Sequence, residues 1–240
     1  VEIATYFLDG VMEEFIAKTN GKDSMERSYR SAKKGRALGL GVMGWHTFLQ
    51  QKGLPFNSLA STAWTHTIFS DIRQKAESAS HQMALEYGEP LWCKGTGMRN
   101  THVMAVAPTV SNSRINSCSA GIEPQPANVY VFNGAKGTFI VKNPELEKLL
   151  IEKGKNDVKY WDQILADNGS VANLPNDVLS ENEKEIFLTF PEINQLGLVQ
   201  QVHIEAWKLG IKTLYYLRTD SVIKGDLGTR TDQSCLGCEG

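Results

Sequence analysis

Apolar residues recur at helical spacing in two long segments of the first ninety residues. Residues 2–16 carry one such stripe, and residues 59–87 carry another that Gly88 ends as a natural C-terminal cap. The stripes consist of Ile3, Tyr6, Phe7, Val11 and Phe15 in the first segment and of Trp64, Ile68, Ile72, Ala76, Ala79 and Met83 in the second. The pattern predicts two helices whose apolar faces pack on other parts of a fold. No strand precedes the first helix, so we expect the chain to begin in the middle of a larger fold.

Two shorter apolar segments predict strands of a parallel sheet. Residues 36–44 read as a buried strand that leads into a helix from Trp45, and residues 101–109 form a nearly continuous apolar run. The polar residues 17–35 predict a surface connection. Strands that alternate with helices in this way indicate an α/β fold.

The pattern changes after Pro126. Residues 127–144 predict two strands joined by a turn with the sequence NGAKG. Further helices are predicted at Pro144–Lys153, at Val158–Ala166, near Asn182 and at Pro191–Leu209, followed by a last strand at residues 211–218. Apolar density falls after Asp220. We therefore predict three regions, at residues 1–126, 127–220 and 221–240, the last of them a flexible tail.

The composition indicates an ordinary globular protein. The formal net charge of −2 favours neither nucleic acid nor an anionic membrane as a partner. No apolar run approaches the roughly 20 residues of a membrane span. The acidic first residues do not resemble a signal peptide, so a cytoplasmic location is expected. The four cysteines are too sparse for a secreted disulfide scaffold.

Gly39, Gly41 and Gly44 fit the spacing of a dinucleotide-binding fingerprint. No acidic residue follows about 20 positions later to bind a ribose, and Asp71 comes too late. Close backbone packing where a strand meets a helix is the better interpretation.

The turn Pro108–Ser113 follows a predicted buried strand. Ligands of parallel α/β folds bind beyond the carboxyl ends of strands. The hydroxyl groups of this turn and its backbone N–H groups suit a phosphate, although a hydroxyl-rich turn with a helix cap explains the same residues.

Cys235 and Cys238 form a close pair within six residues of the end of the chain. A zinc site needs about four ligands, and no histidine lies near this pair in sequence, so no metal site is predicted. An accessible dithiol that exchanges with a disulfide fits better, the alternative being two incidental tail cysteines. Cys93 and Cys118 are expected to be small buried apolar residues without a catalytic role.

Tyr215 and Tyr216 end the last predicted strand. Adjacent aromatic residues at such a place usually pack a core or a sheet. Neighbours on a regular strand point to opposite faces, so the two rings stack only if the backbone departs from that regularity.

Four segments together resemble the large subunit of class I ribonucleotide reductases. Gly97–Pro126 resembles the family's strand, phosphate-binding turn and G-I-E-P segment, and Trp207–Arg218 resembles the strand that bears its radical-transfer tyrosines. Arg36–Leu49 resembles a barrel strand, and the terminal CLGC resembles the tail dithiol. The order of the segments is that of the family. The resemblance implies the later strands of a ten-stranded α/β barrel, then a small α/β domain and a tail.

The resemblance also implies residue roles. The diphosphate of a ribonucleoside diphosphate is expected to bind the turn formed by Pro108, Thr109, Val110, Ser111, Asn112 and Ser113. Val110 stands where the family usually has an acidic residue. Tyr216 and then Tyr215 would relay a radical from the small subunit, and Cys235 and Cys238 would re-reduce the active-site disulfide before thioredoxin or glutaredoxin reduces them.

The family's radical-bearing cysteine, its two reducing cysteines and its acid–amide pair lie upstream of the resembling region. We therefore expect a partner chain that supplies the N-terminal part of the large subunit, as in split bacteriophage genes, or a truncated piece. The radical cofactor is expected in the small subunit, whose C-terminal peptide would dock beside helix Pro191–Leu209, with none bound directly to this chain. A stand-alone dithiol redox protein and a non-catalytic interaction remnant are the alternative functions.

Overall fold

The computed structural model describes residues 1–134, 137–193, 199–211 and 214 of the 240-residue chain. These residues form two compact units, each assembled from two separate stretches of sequence. The first unit comprises Val1–Met43 and Leu59–Val110, and the second comprises Gly44–Ser58 with the described residues from Ser111 onward. None of the described helices is both long enough and apolar enough to cross a membrane.

Two long helices of the first unit lie where the apolar spacing predicted them. They are α1, Glu2–Thr19, which extends three residues beyond the predicted segment, and α4, Leu59–Tyr87, whose bounds match the prediction. Gly88 ends α4 with φ 82°, a left-handed conformation open to glycine, and its N–H donates to the Ala84 carbonyl oxygen at 2.9 Å. Apart from Ser61, the buried residues of α4 lie in its C-terminal half: Ala76, Ala79, Ser80, Met83 and Ala84.

The polar segment 17–35 lies largely at the surface, as predicted, but it is helical rather than an irregular connection. It contains the end of α1, a 3-10 turn at Asp23–Met25 and the helix α2, Glu26–Gly35. Tyr29 and Ala32 are the only apolar side chains of α2, too few to form the apolar stripe from which the other helices were predicted. Good helix formers favour this helix, as do Glu26 in its first turn and Lys33 and Lys34 in its last, and α2 also packs against α1.

The apolar stripe of α1 is largely exposed within this chain. Ile3 is 87% exposed and Phe7 is 69% exposed, and Val11 and Phe15 are exposed to a smaller degree. The residues that α1 buries are Thr5, Asp9, Ile16 and Thr19. The helix therefore presents an apolar face that the described residues leave uncovered.

A buried polar cluster forms around Asp9 on α1. Its carboxylate accepts hydrogen bonds from Nε and Nη2 of Arg36 at 3.0 and 2.9 Å, from Nε of Arg99 at 3.0 Å and from Nδ2 of Asn100 at 2.8 Å. Burial disfavours the charged carboxylate, but these hydrogen bonds outweigh burial and lower the pKa of Asp9 below its ordinary value of 3.8. We call Asp9, Arg36, Arg99 and Asn100 the Asp9 cluster.

The two predicted parallel strands are reduced to one short pairing in the first unit. Leu40 and Met104 form an isolated parallel bridge, flanked by a hydrogen bond from Leu38 N to the His102 carbonyl oxygen at 2.8 Å. Neither segment is a regular strand. A Cβ atom at Gly41 would overlap the carbonyl oxygen of Ala105, so glycine is required for the close approach. The interpretation of the glycine motif as backbone packing is confirmed.

The second unit contains the predicted hairpin. Strands β1, Val129–Gly134, and β2, Gly137–Lys142, pair antiparallel with Val129 opposite Lys142. Helix α3, Trp45–Gln51, and helix α6, Pro144–Glu152, lie on either side of it in sequence, and α7 follows at Val158–Ala166. The predicted helix near Asn182 is α8, Glu181–Ile186.

One apolar core holds the second unit together. Its buried members come from β1, from α6 and α7, from the chain between α7 and α8, and from the residue that follows α8. They are Val129, Leu146, Leu150, Trp161, Ile164, Val171, Leu174, Val178, Leu179 and Phe187. Asn143 caps α6 by accepting a hydrogen bond from Glu145 N, and Ser180 with Glu183 forms a capping box on α8.

The described residues of the predicted helix Pro191–Leu209 include two helical segments. These are α9, Phe190–Ile193, and α10, Val199–Lys208, and residues 194–198 between them lie outside the described residues. The last predicted strand lies outside the described residues except for Ile211 and Leu214. So does the whole tail from residue 221.

Candidate functional site

The predicted phosphate turn, Pro108–Ser113, leads into the short helix α5, Val110–Ile115. Thr109 has φ 26°, a backbone conformation that β-branched residues rarely adopt. Along the turn, Pro108, Thr109 and Val110 are half-buried, Ser111 and Asn112 are exposed, and Ser113 is buried. The turn therefore presents one hydroxyl group and one amide to solvent.

The chain leaves α5 through a closed turn. The Asn112 carbonyl oxygen accepts from the backbone N–H of Asn116 at 3.1 Å and from its Nδ2 at 2.8 Å. Ser117 takes a left-handed conformation, φ 52°, and the N–H of Cys118 donates to the Ser113 carbonyl oxygen at 3.0 Å. Residues 112–118 are thus fixed by local hydrogen bonds.

The next segment, residues 119–125, is bonded to the N-terminal end of α3. Ser119 N donates to Oγ1 of Thr47 at 2.8 Å, and Thr47 N donates to Oγ of Ser119 at 3.2 Å. The carbonyl oxygens of Ser119 and Gly121 accept from the backbone N–H groups of Gly44 and Trp45 at 2.8 and 3.3 Å. We call residues 119–125 the anchored segment.

A buried histidine holds the far end of the anchored segment. Nδ1 of His46 accepts from the N–H of Gln125 at 2.9 Å, and the side chain is fully buried. Burial lowers the pKa of His46 from 6.5 to about 4, against a smaller opposing effect of a hydrogen bond with the Ile186 backbone. The ring is therefore neutral at neutral pH, with Nδ1 unprotonated.

Arg114 adds a positive charge directly after the turn. Its side chain is exposed, and its guanidinium carbon lies 4.4 Å from the ring centroid of Phe132 on β1. Stacking on an aromatic ring restricts the side chain without neutralising it. Sequence patterns gave no sign of Arg114, because the contact joins α5 to a strand that begins fifteen residues later.

Neither described cysteine has the properties of a reactive thiol. Cys93 is buried and Cys118 is half-buried, and burial raises the pKa of both thiols. Both observations agree with the expectation of a packing role. The other predicted site residues, Tyr215, Tyr216, Cys235 and Cys238, lie outside the described residues.

The described part of the candidate site presents hydrogen-bonding groups and one positive charge to solvent. It offers the exposed Ser111 and Asn112 and the cation of Arg114. Within residues 1–134, 137–193, 199–211 and 214, no three His, Cys, Asp or Glu side chains lie together as a metal site would require.

One family model matches most of the chain. The model described as "Ribonucleotide reductase, barrel domain" matches residues 1–92 and 92–202. The matched residues include the phosphate turn, the anchored segment and α3.

Similar proteins are longer than this chain. The ribonucleoside-diphosphate reductase large subunit of Invertebrate iridescent virus 6 is 34% identical over 91% of the chain, which spans 26% of that relative. The large subunit of Invertebrate iridescent virus 3 is 31% identical over 100% of the chain, which spans 44% of that relative. A solved structure, the class Id ribonucleotide reductase alpha subunit of Actinobacillus ureae, is 36% identical with a TM-score of 0.77 and covers 93% of the chain and 47% of its own length. The chain therefore spans less than half the length of these proteins.

Proposed function

This chain belongs to the ribonucleotide reductase barrel-domain family, and we propose that it works as the C-terminal part of a class I ribonucleoside-diphosphate reductase large subunit. The resemblance to the large subunit and the α/β fold are confirmed by the comparisons. The observation that carries the proposal is the family match over residues 1–92 and 92–202, which contains all of Gly97–Pro126. The assembled enzyme would reduce ribonucleoside diphosphates to deoxyribonucleoside diphosphates.

The substrate diphosphate is proposed to bind the turn Pro108–Ser113. The exposed hydroxyl of Ser111 and the exposed amide of Asn112 support this role, since both can donate hydrogen bonds to phosphate oxygens. The guanidinium of Arg114 follows directly and favours a dianionic ligand. Val110 brings no negative charge to the turn, so it does not oppose phosphate binding.

Radical transfer is proposed for Tyr215 and Tyr216. A phenol can lose a proton and an electron together, which keeps net charge out of a low-dielectric path. Loss of the proton alone is costly, because the ordinary pKa of tyrosine is about 10. These roles rest on the resemblance of Trp207–Arg218 to the family strand.

The tail thiols are proposed to restore the enzyme after each turnover. Cys235 and Cys238 would give two electrons and two protons to the active-site disulfide and would become a disulfide themselves. Thioredoxin or glutaredoxin would then reduce that disulfide by the same exchange. Each step breaks one S–S bond and forms another.

The proposed partners are the N-terminal part of the large subunit and a small radical-generating subunit in the cytoplasm. The exposed apolar face of α1, which includes Ile3 and Phe7, supports the first partner, because such a face is covered in a stable assembly. The greater length of the relatives supports it too. No cofactor is proposed to bind this chain directly.

Reconstitution tests the proposal. The chain is combined with the N-terminal part of a large subunit, a small subunit and a thioredoxin system, and deoxycytidine diphosphate formed from CDP is measured. We expect turnover that requires every component and that is lost in Tyr215→Phe and Tyr216→Phe. In Cys235→Ser, dithiothreitol should restore turnover that thioredoxin no longer supports.

Three results would contradict the proposal. Turnover with only a small subunit and a reductant would show that no N-terminal part is needed. Silent tyrosine variants in an active assembly would favour an interaction remnant. Disulfide exchange by the chain alone, without reductase activity in any assembly, would favour a stand-alone dithiol redox protein.

A further inference from the structure

We propose that Thr47 is a positioning residue for the substrate turn and that it acts through Ser119. The inference rests on the proposed function, because the turn in question is the proposed diphosphate-binding segment. Thr47 does not belong to that turn, and 72 residues separate it from Ser119. Its side-chain hydroxyl accepts a hydrogen bond from the backbone of the anchored segment.

Thr47 and Ser119 donate a backbone hydrogen bond to each other's hydroxyl oxygen. Such a reciprocal pair of hydrogen bonds normally joins two residues at the N-terminus of one helix. The N–H of Thr47 is the third of α3, and such a group is usually satisfied by the side chain of the N-cap residue. The N-cap of α3 is Gly44, which has no side chain. Ser119 supplies the missing acceptor at 3.2 Å, and Thr47 Oγ1 accepts from Ser119 N at 2.8 Å.

Burial favours the backbone position in which Thr47 and Ser119 form both hydrogen bonds. Thr47 is 6% exposed and Ser119 is 1% exposed, so water does not replace either partner. A buried N–H without an acceptor is costly. The backbone of Ser119 therefore stays where the Thr47 hydroxyl can accept from it.

The position of Ser119 constrains the end of the proposed substrate turn through Cys118. Cys118 precedes Ser119 in the chain, and its N–H donates to the carbonyl oxygen of Ser113, the last residue of the turn. The hydrogen bond between Gln125 and His46 holds the other end of the anchored segment against the same helix. Helix α3 is thus linked to Ser113, the last residue of the turn, through Ser119 and Cys118.

The expected effect follows from this indirect role. A turn that loses its support binds the diphosphate less well in ground state and transition state alike, which raises KM more than it lowers kcat. Loss of one well-placed hydrogen bond to the substrate corresponds to about tenfold in affinity. A residue that only stabilised the fold would lower the amount of active enzyme and would leave KM unchanged.

The test compares three variants in the reconstituted reductase. Thr47→Val removes the hydroxyl with little change in shape, and Thr47→Ser keeps it. Thr19→Val is the matched control: Thr19 is 5% exposed, its hydroxyl donates to the Phe15 carbonyl oxygen at 2.7 Å, and it lies on α1 in the other unit. The KM for CDP should rise about tenfold in Thr47→Val and stay near wild type in the other two. An unchanged KM in Thr47→Val, an equal rise in Thr19→Val or no rescue by serine would overturn the proposal.

Hydrogen exchange without substrate provides an independent measurement. The amides of residues 117–125 should exchange faster in Thr47→Val than in the wild type, while those of α6 and α7 stay unchanged. Unchanged exchange at residues 117–125 would overturn the link between Thr47 and the anchored segment. A wild-type assembly that fails to reduce CDP would overturn the proposed function instead, and the exchange data would still decide whether Thr47 holds Ser119.

Discussion

Replacing Asp9 with asparagine would remove the buried anion that Arg36 and Arg99 share and leave them the exposed carboxylate of Glu13. Asp9→Asn keeps the size of the side chain and removes its charge. One oxygen of the carboxylate becomes an NH2 group, which cannot accept the hydrogen bonds that Arg36 and Arg99 donate at 2.9 and 3.0 Å. Both arginine side chains are largely buried, at 6% and 12% exposure, so water cannot take over this role.

The expected loss of stability is large for a single substitution. Removing one partner of a buried ion pair costs about 3–5 kcal/mol. The lower end of this range is expected here, because the exposed Glu13 carboxylate still contacts Nη1 of Arg36 at 2.6 Å. With a urea dependence of about 1–3 kcal/mol/M, the unfolding midpoint of the first unit should fall by at least about 1 M. Glu14→Gln is the matched control, since it makes the same chemical change on the same helix in an exposed pair with Lys18 and should change the midpoint little.

Hydrogen exchange of α1 and α2 peptides across a urea series reports the midpoint of the first unit separately from the second. Acid supplies a second measurement. The pKa of Asp9 is lowered in the folded state, so its contribution is complete above about pH 4 and is lost as the pH falls through that lowered value. This acid-sensitive component should be absent from Asp9→Asn. A midpoint shift no larger than that of Glu14→Gln would refute the conclusion that the Asp9 cluster stabilises the first unit.

Two further perturbations test other parts of the structure. Burial lowers the pKa of His46 from 6.5 to about 4, so the second unit should lose about 3 kcal/mol of unfolding free energy as the pH falls through that interval. His46→Gln should lack this loss in urea titrations. The same pH dependence of stability in the wild type and in His46→Gln would contradict the prediction. Gly41→Ala would place a Cβ atom against the Ala105 carbonyl oxygen and should lower the unfolding free energy by about 1–3 kcal/mol. Gly10→Ala, at a position on α1 with open space, should raise the unfolding free energy by up to about 1 kcal/mol. Equal unfolding midpoints of the two variants would show that the close approach at Gly41 is not needed.

Sequence patterns predicted the helices and strands that are determined by residues close together in the sequence. The ends of α4 follow from its stripe and from Gly88, and the hairpin follows from two apolar runs around a glycine-containing turn. Helix α2 was missed because the prediction relied on stripes of apolar residues, and Tyr29 and Ala32 are the only apolar side chains of α2. The predicted strands at residues 36–44 and 101–109 pair only at Leu40 and Met104.

In the candidate site, too, the local turn could be predicted from the sequence and the long-range contacts could not. The turn Pro108–Ser113 could be predicted because it follows an apolar run and concentrates hydroxyl groups. Its supports could not, because Thr47 and His46 meet the anchored segment over separations of 72 and 79 residues. The Asp9 cluster was hidden for a similar reason. Asp9 lies among the apolar residues of α1, and its arginine partners are 27 and 90 residues away.

The division of the chain into two units has a consequence for any attempt to dissect it. The polypeptide crosses from one unit to the other three times, because residues 44–58 join the second unit in the middle of the first. A fragment that begins at Ser111 would lack the completely buried Leu49 together with the rest of α3. A protease that cuts between residues 43 and 59 would sever the sequence without releasing either unit as one continuous piece. Genetic separation of the two units would therefore require rejoining the chain in a new order rather than shortening it.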